Sequence, residues 1–67
     1  MTTVRLNGQE RECPEGTSIA ALLQGLGLSP ARVAVERNGV IVPRERFSDL
    51  ILTEGDRLEV VQFVGGG

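Results

Sequence analysis

The sequence predicts an α+β domain, a mixed sheet with one main helix packed on one face. Three observations predict it. The pairs Asn7-Gly8 and Asn38-Gly39 each sit between short stretches fit to be strands, which is the signal of a two-residue hairpin turn. Between the two hairpins, Ile19, Leu22, Leu23 and Leu26 fall at i, i+3, i+4, i+7, one stripe of an amphipathic helix. A last β-branched stretch, Arg57 to Val64, closes the chain's regular structure.

Thr3-Val4-Arg5-Leu6 alternates polar and apolar residues, as a half-buried strand does. Across the Asn7-Gly8 turn the return strand runs from Gln9 to Cys13, setting Leu6 against Gln9, Val4 against Arg11 and Thr2 against Cys13. Polar residues at the margin of the core face mark an edge strand. Cys13 reads as a small semi-buried packing residue rather than a reactive thiol. Pro14-Glu15-Gly16 breaks the strand, Thr17 or Ser18 caps the helix, and Gly27 suits the position just past its end. Gly25, in the last turn, costs up to ~1 kcal/mol relative to Ala. The apolar stripe is core.

Val33 to Glu36 reads as a strand, returning after Asn38-Gly39 as Val40-Ile41-Val42, and Pro43 ends it by removing a ladder donor. Arg44 to Leu52 is irregular, with a short helical turn expected around Phe47 to Leu50. Glu54-Gly55-Asp56 is a further turn. The last strand begins with alternation and becomes apolar on both faces through Val61 and Phe63, as a central strand would. Placed centrally beside the first strand, it must run parallel to it, with the helix in the crossover. That arrangement is a β-grasp, the ubiquitin-like roll. Residues 1–64 form the β-grasp domain and residues 65–67 a flexible C-terminal glycine tail.

Composition removes most function classes. The 67 residues contain no His, Trp or Tyr, one Cys and no Lys, all seven cations being Arg. The commonest general base and zinc ligand is therefore missing, an internal disulfide is excluded, and no side chain can form a Schiff base. A net charge of −2 with only two aromatics argues against nucleic acid. No apolar run approaches the ~20 residues that span a bilayer, and no leader signature opens the chain. The expectation is a cytoplasmic, non-enzymatic protein with no metal site and no membrane or nucleic-acid partner.

The ending "VVQFVGGG" admits two readings. Three glycines can be slack at a chain end, where disorder collects. They can equally be the working part. Without Cβ atoms, Gly65-Gly66-Gly67 is the narrowest chain available to thread a tunnel, reaching on the order of 10 Å when extended. A terminal carboxylate, pKa about 3.5, is ionised at neutral pH and competent to attack the α-phosphate of ATP, giving an acyl-adenylate.

The segments "VRLNG" (4–8), "TSIAALLQGLGL" (17–28), "VAVERNGVIVPRE" (33–45) and "EGDRLEVVQFVGGG" (54–67) together resemble the ThiS family, the sulfur carriers of thiamine biosynthesis. The resemblance implies a β-grasp fold and a cycle carried by Gly67, with Gly65 and Gly66 as the threading arm. In that cycle an E1-like adenylating enzyme (ThiF) uses ATP and Mg to adenylate the Gly67 carboxylate. A cysteine-derived persulfide replaces AMP to leave a thiocarboxylate, and thiazole synthase (ThiG) takes its sulfur for the thiazole ring. No cofactor is held permanently. An apolar sheet surface facing these partners is also implied, with Phe63, Val64 and Ile41 as candidates. Arg44 is either a strand-exit residue or a partner for an acidic patch. Glu54, Asp56 and Glu59 are solvated charges or steer docking. The alternatives are a molybdopterin-type carrier, disfavoured by the lack of proline before the glycines, a ubiquitin-like modifier, and an interaction domain with an idle end.

Overall fold

The computed structural model describes residues 1–63. In chain order the elements are β1 (Thr2–Leu6), β2 (Gln9–Cys13), α1 (Ile19–Gly25), β3 (Val33–Arg37), β4 (Val40–Val42) and β5 (Arg57–Gln62). The five strands form one sheet in the order β2-β1-β5-β3-β4. The last strand is therefore central, parallel to β1 and antiparallel to β3. The first hairpin takes the expected register, with Thr2 opposite Cys13, Val4 opposite Arg11 and Leu6 opposite Gln9. Its turn is made by Asn7 and Gly8 at φ +49 and +83, and the second by Asn38 and Gly39 at φ +52 and +85. Asparagine tolerates this left-handed region better than most residues, and glycine enters it freely.

The helix stops where its sequence says it should. The Ser18 hydroxyl accepts from the Ala21 N–H at 3.0 Å, satisfying one of the donors left over at a helix start. At the other end Gly27 sits at φ +75. Its N–H donates to the Gln24 carbonyl, and that of Leu28 donates to the Leu23 carbonyl, both at 3.0 Å. That pair of bonds is the Schellman motif. Ile19 and Leu23 are buried, while Leu22, Leu26 and Leu28 pack partly buried at the margin. The core beneath them is Val4, Leu6, Val33, Val35, Val42 and Leu58, with Cys13 sealing one side. Cys13 is fully rather than semi-buried, being 5% exposed.

The expected turn around Phe47 to Leu50 is present, the Asp49 and Leu50 N–H both donating to the Arg46 carbonyl at 3.0 Å. It is preceded by a 3-10 turn at Arg44–Arg46. Pro43 initiates it, and the Phe47 N–H closes it on the Arg44 carbonyl. From there the chain is drawn onto the start of α1. Ile19 and Ala20 N–H donate to the Leu50 and Phe47 carbonyls, and the Leu52 N–H donates to the Thr17 carbonyl. Phe47 and Leu52 are thereby buried in the core. β5 is central, as expected, but it is not covered on both faces, and Val61 is 59% exposed. One helix cannot cover both faces of a five-stranded sheet, so apolar residues pointing away from it meet solvent.

Candidate functional site

The site builds up from the face of the sheet that α1 does not cover. Strand alternation sends Leu58 and Val60 towards the helix and Glu59 and Val61 away from it. Val61 pairs with Ala34 of β3, Glu59 pairs with Glu36, and Glu36 in turn pairs with Ile41 of β4. Phe63 follows β5 directly, its N–H donating to the Arg32 carbonyl at 2.8 Å. Ile41 is 70% and Phe63 52% exposed. Ala34, Val61 and Phe63 thus make an open apolar surface at the end of the central strand, with Ile41 on the same face two strands away and the carboxylates of Glu36 and Glu59 beside it. Exposed apolar groups clustered next to like charges favour an apolar partner surface with a basic margin.

Of the residues singled out in the sequence, the structure brings Ile41 and Phe63 to this one face. Val64, Gly65, Gly66 and Gly67 lie outside the described residues. Arg44 is turned elsewhere. Its Nε donates to the Pro30 carbonyl at 2.9 Å and its Nη2 to the Ala31 carbonyl at 3.4 Å. It ties the turn after β4 to the turn before β3, the strand-exit role. Val61 and Ala34 are the members that sequence reasoning missed. The signal was the apolar content of both faces of the last strand, set against a single helix able to cover only one.

The three acidic residues near the chain end separate. Glu59 stays on the open face. Glu54 accepts from the Thr3 N–H at 2.9 Å. Asp56 is 4% exposed and is neither solvated nor free to steer a partner. Its Oδ2 accepts from Arg37 Nε at 3.0 Å and Thr53 N–H at 2.9 Å, and its Oδ1 accepts from Asn38 Nδ2 at 3.1 Å. Burial pushes its carboxyl pKa up. The bonds from Thr53, Asn38 and Arg37, with the Arg37 charge, outweigh that and hold it below the ordinary value. A buried carboxylate with these donors is structural.

Among the described residues no three His, Cys, Asp or Glu side chains gather as a metal site, and no helix is long and apolar enough to cross a membrane. What the arrangement offers is an exposed apolar surface beside the end of β5.

A model of the ThiS family matches residues 4–67. The chain is 38% identical over 65 residues to a sulfur carrier protein ThiS of Bacillus subtilis, covering 96% of this chain and 98% of that one. It is 45% identical over 64 residues to a thiazole synthase of Magnetococcus marinus, covering 96% of this chain. It spans only about a fifth of the length of that enzyme, 20%. A crystal structure of a ThiS thiamine biosynthesis protein from Geobacter metallireducens superposes with a TM-score of 0.81 at 32% identity, covering 98% of this chain and all of that one.

Proposed function

The chain belongs to the ThiS family, and on that premise we propose that it is a sulfur carrier of thiamine biosynthesis whose reacting group is the carboxyl of Gly67, as C-terminal residue of the mature protein. The observation that carries this reading is the reach of the family match, which runs through the final glycine. The central position of β5 supports it, because the strand preceding the arm is paired on both sides, with β1 and with β3.

The carboxylate oxygen attacks the α-phosphorus of ATP, and pyrophosphate leaves with the electrons of the broken P–O bond. The resulting acyl-adenylate has a good leaving group where the free acid had none. A cysteine-derived persulfide sulfur then displaces AMP to give an acyl disulfide. A thiol cleaves that S–S bond, leaving the thiocarboxylate and a disulfide. The chemistry belongs to an E1-like adenylating partner, which also binds MgATP. This chain supplies the acyl group and the surface by which it is held. Ala34, Val61, Phe63 and Ile41 dock on the partner, with Glu36 and Glu59 at the margin. Thiazole synthase is the acceptor of the sulfur, in keeping with a matching segment inside the thiazole synthase of Magnetococcus marinus.

Intact mass spectrometry of the protein from its native host tests the reading, alongside ATP–pyrophosphate exchange with the adenylating partner. The expected results are a fraction with one oxygen replaced by sulfur at Gly67, and loss of exchange when Gly67 is deleted. Exchange unchanged by that deletion overturns the role of the carboxyl. Attachment of Gly67 to a lysine of another protein would point to the modifier reading instead.

A further inference from the structure

We propose that Asn7 is a positioning residue for the C-terminal arm, its side-chain amide replacing a missing rung of the sheet and holding β5 in line at Val60, on the stretch that leads to the arm. This rests on the carrier reading above.

The ladder between β1 and β5 shows the substitution. In this parallel pair the Arg5 N–H donates to the Asp56 carbonyl at 2.8 Å and the Asn7 N–H to the Leu58 carbonyl at 2.9 Å. One rung further, a continuing strand would offer the carbonyl of residue 7 to the Val60 N–H, and the amide of residue 9 to the Val60 carbonyl. Neither is in place. Asn7 begins the hairpin turn at φ +49, and Gln9 already belongs to β2. The Asn7 side chain fills both positions. Its Oδ1 accepts from the Val60 N–H at 2.8 Å and its Nδ2 donates to the Val60 carbonyl at 3.1 Å. A primary amide carries the same donor and acceptor as a peptide group, so it completes the ladder with one residue.

The place where it does so matters. Past Val60, among the described residues, β5 is paired only with β3, through Val61 to Ala34 and Gln62 to Val33, followed by the Phe63 N–H to Arg32 bond. Among the described residues Asn7 is the last hold on the opposite side. A turn needs a residue tolerant of positive φ, and glycine would serve equally there. Only the amide side chain also reaches Val60.

The variant Asn7→Gly separates these two roles, since it keeps the turn and removes both bonds. Full-length carrier is assayed by ATP–pyrophosphate exchange with its adenylating enzyme, at a temperature where every variant is folded. The expected result is a fall in kcat of roughly 3–10-fold from a less defined arm. KM for the carrier stays within about twofold, because the docking face is untouched. Hydrogen exchange at the Val60 amide accelerates. Asn7→Asp, which keeps the acceptor and loses the donor, falls between. Gly27→Ala, which strains the end of α1, serves as the stability control and lowers Tm without lowering kcat. The inference is overturned if Asn7→Gly turns over like the wild type, or if Gly27→Ala loses as much kcat. No exchange even by the wild-type chain would remove the carrier reading and this inference with it.

Discussion

At Asp56 two forces oppose each other within one side chain. Burial favours the neutral acid, and three donors with the Arg37 charge favour the carboxylate and prevail. A carboxyl whose folded pKa is depressed contributes stability that is fully present above its unfolded pKa. That contribution is lost as pH falls through the lower folded value. The wild-type protein should therefore lose stability below the ordinary 3.8. Asp56→Asn should cost about 1–3 kcal/mol at neutral pH, since an amide N–H₂ must face a donor and Arg37 loses its counterion. The difference in Tm between the two proteins should shrink as pH is lowered past that range. A constant difference from pH 7 to pH 2 would mean that the charge contributes nothing. The two turn asparagines belong to the same scale. Asn7 and Asn38 both meet a backbone requirement at positive φ and then accept from β5 through their side-chain oxygens. Asn7 binds Val60, while Asn38 Oδ1 accepts from the Arg57 N–H at 2.9 Å. The first role is legible in the motif Asn-Gly. The second needs the fold, because the partner is 53 residues away for Asn7 and 19 for Asn38.

Among the elements, α1 shows how little a short helix owes to its own propensity. Seven residues are too few to stay helical alone in water. The element persists because Ile19 and Leu23 are buried and because both ends are closed by specific bonds. Ser18→Ala removes the bond to the Ala21 N–H and should cost ~1 kcal/mol, seen as a drop in Tm of roughly 4–8 °C by circular dichroism. A shift below about 1 °C would show that the cap is dispensable. The segment from Pro43 to Asp56 is the counterexample to sequence reading. It has no periodicity, so its two core residues, Phe47 and Leu52, could not be ordered from spacing. Their burial follows from hydrogen bonds to the first turn of α1, which only the packed molecule supplies.

At the scale of the whole molecule, the governing fact is unequal cover. A single helix seals one face of a five-stranded sheet, and the other face keeps Val61, Phe63 and Ile41 exposed. A surface that a partner buries should tolerate change in the free protein and fail in the complex. Val61→Asp should leave Tm within a few degrees while weakening association with the adenylating partner by ~10-fold or more, the loss expected when a buried Val is replaced by a charge. Titration calorimetry or surface plasmon resonance with that enzyme measures it. Unchanged affinity would place the docking surface elsewhere.

Turns, hairpin pairing and helix limits followed from local chemistry: asparagine and glycine at the hairpins, an apolar stripe of period 3.6, a capping serine and a terminating glycine. These are short-range preferences, and neighbours a few residues apart suffice to express them. The parallel placement of the last strand beside the first was also legible, since a helical crossover between two hairpins leaves few other closures. Which apolar residues face water was not legible, because exposure depends on what covers a face rather than on the residue itself. The same holds for charge. Glu59 and Asp56 read alike in the chain, yet packing leaves one on an open face and encloses the other among donors from its own loop and from the second hairpin.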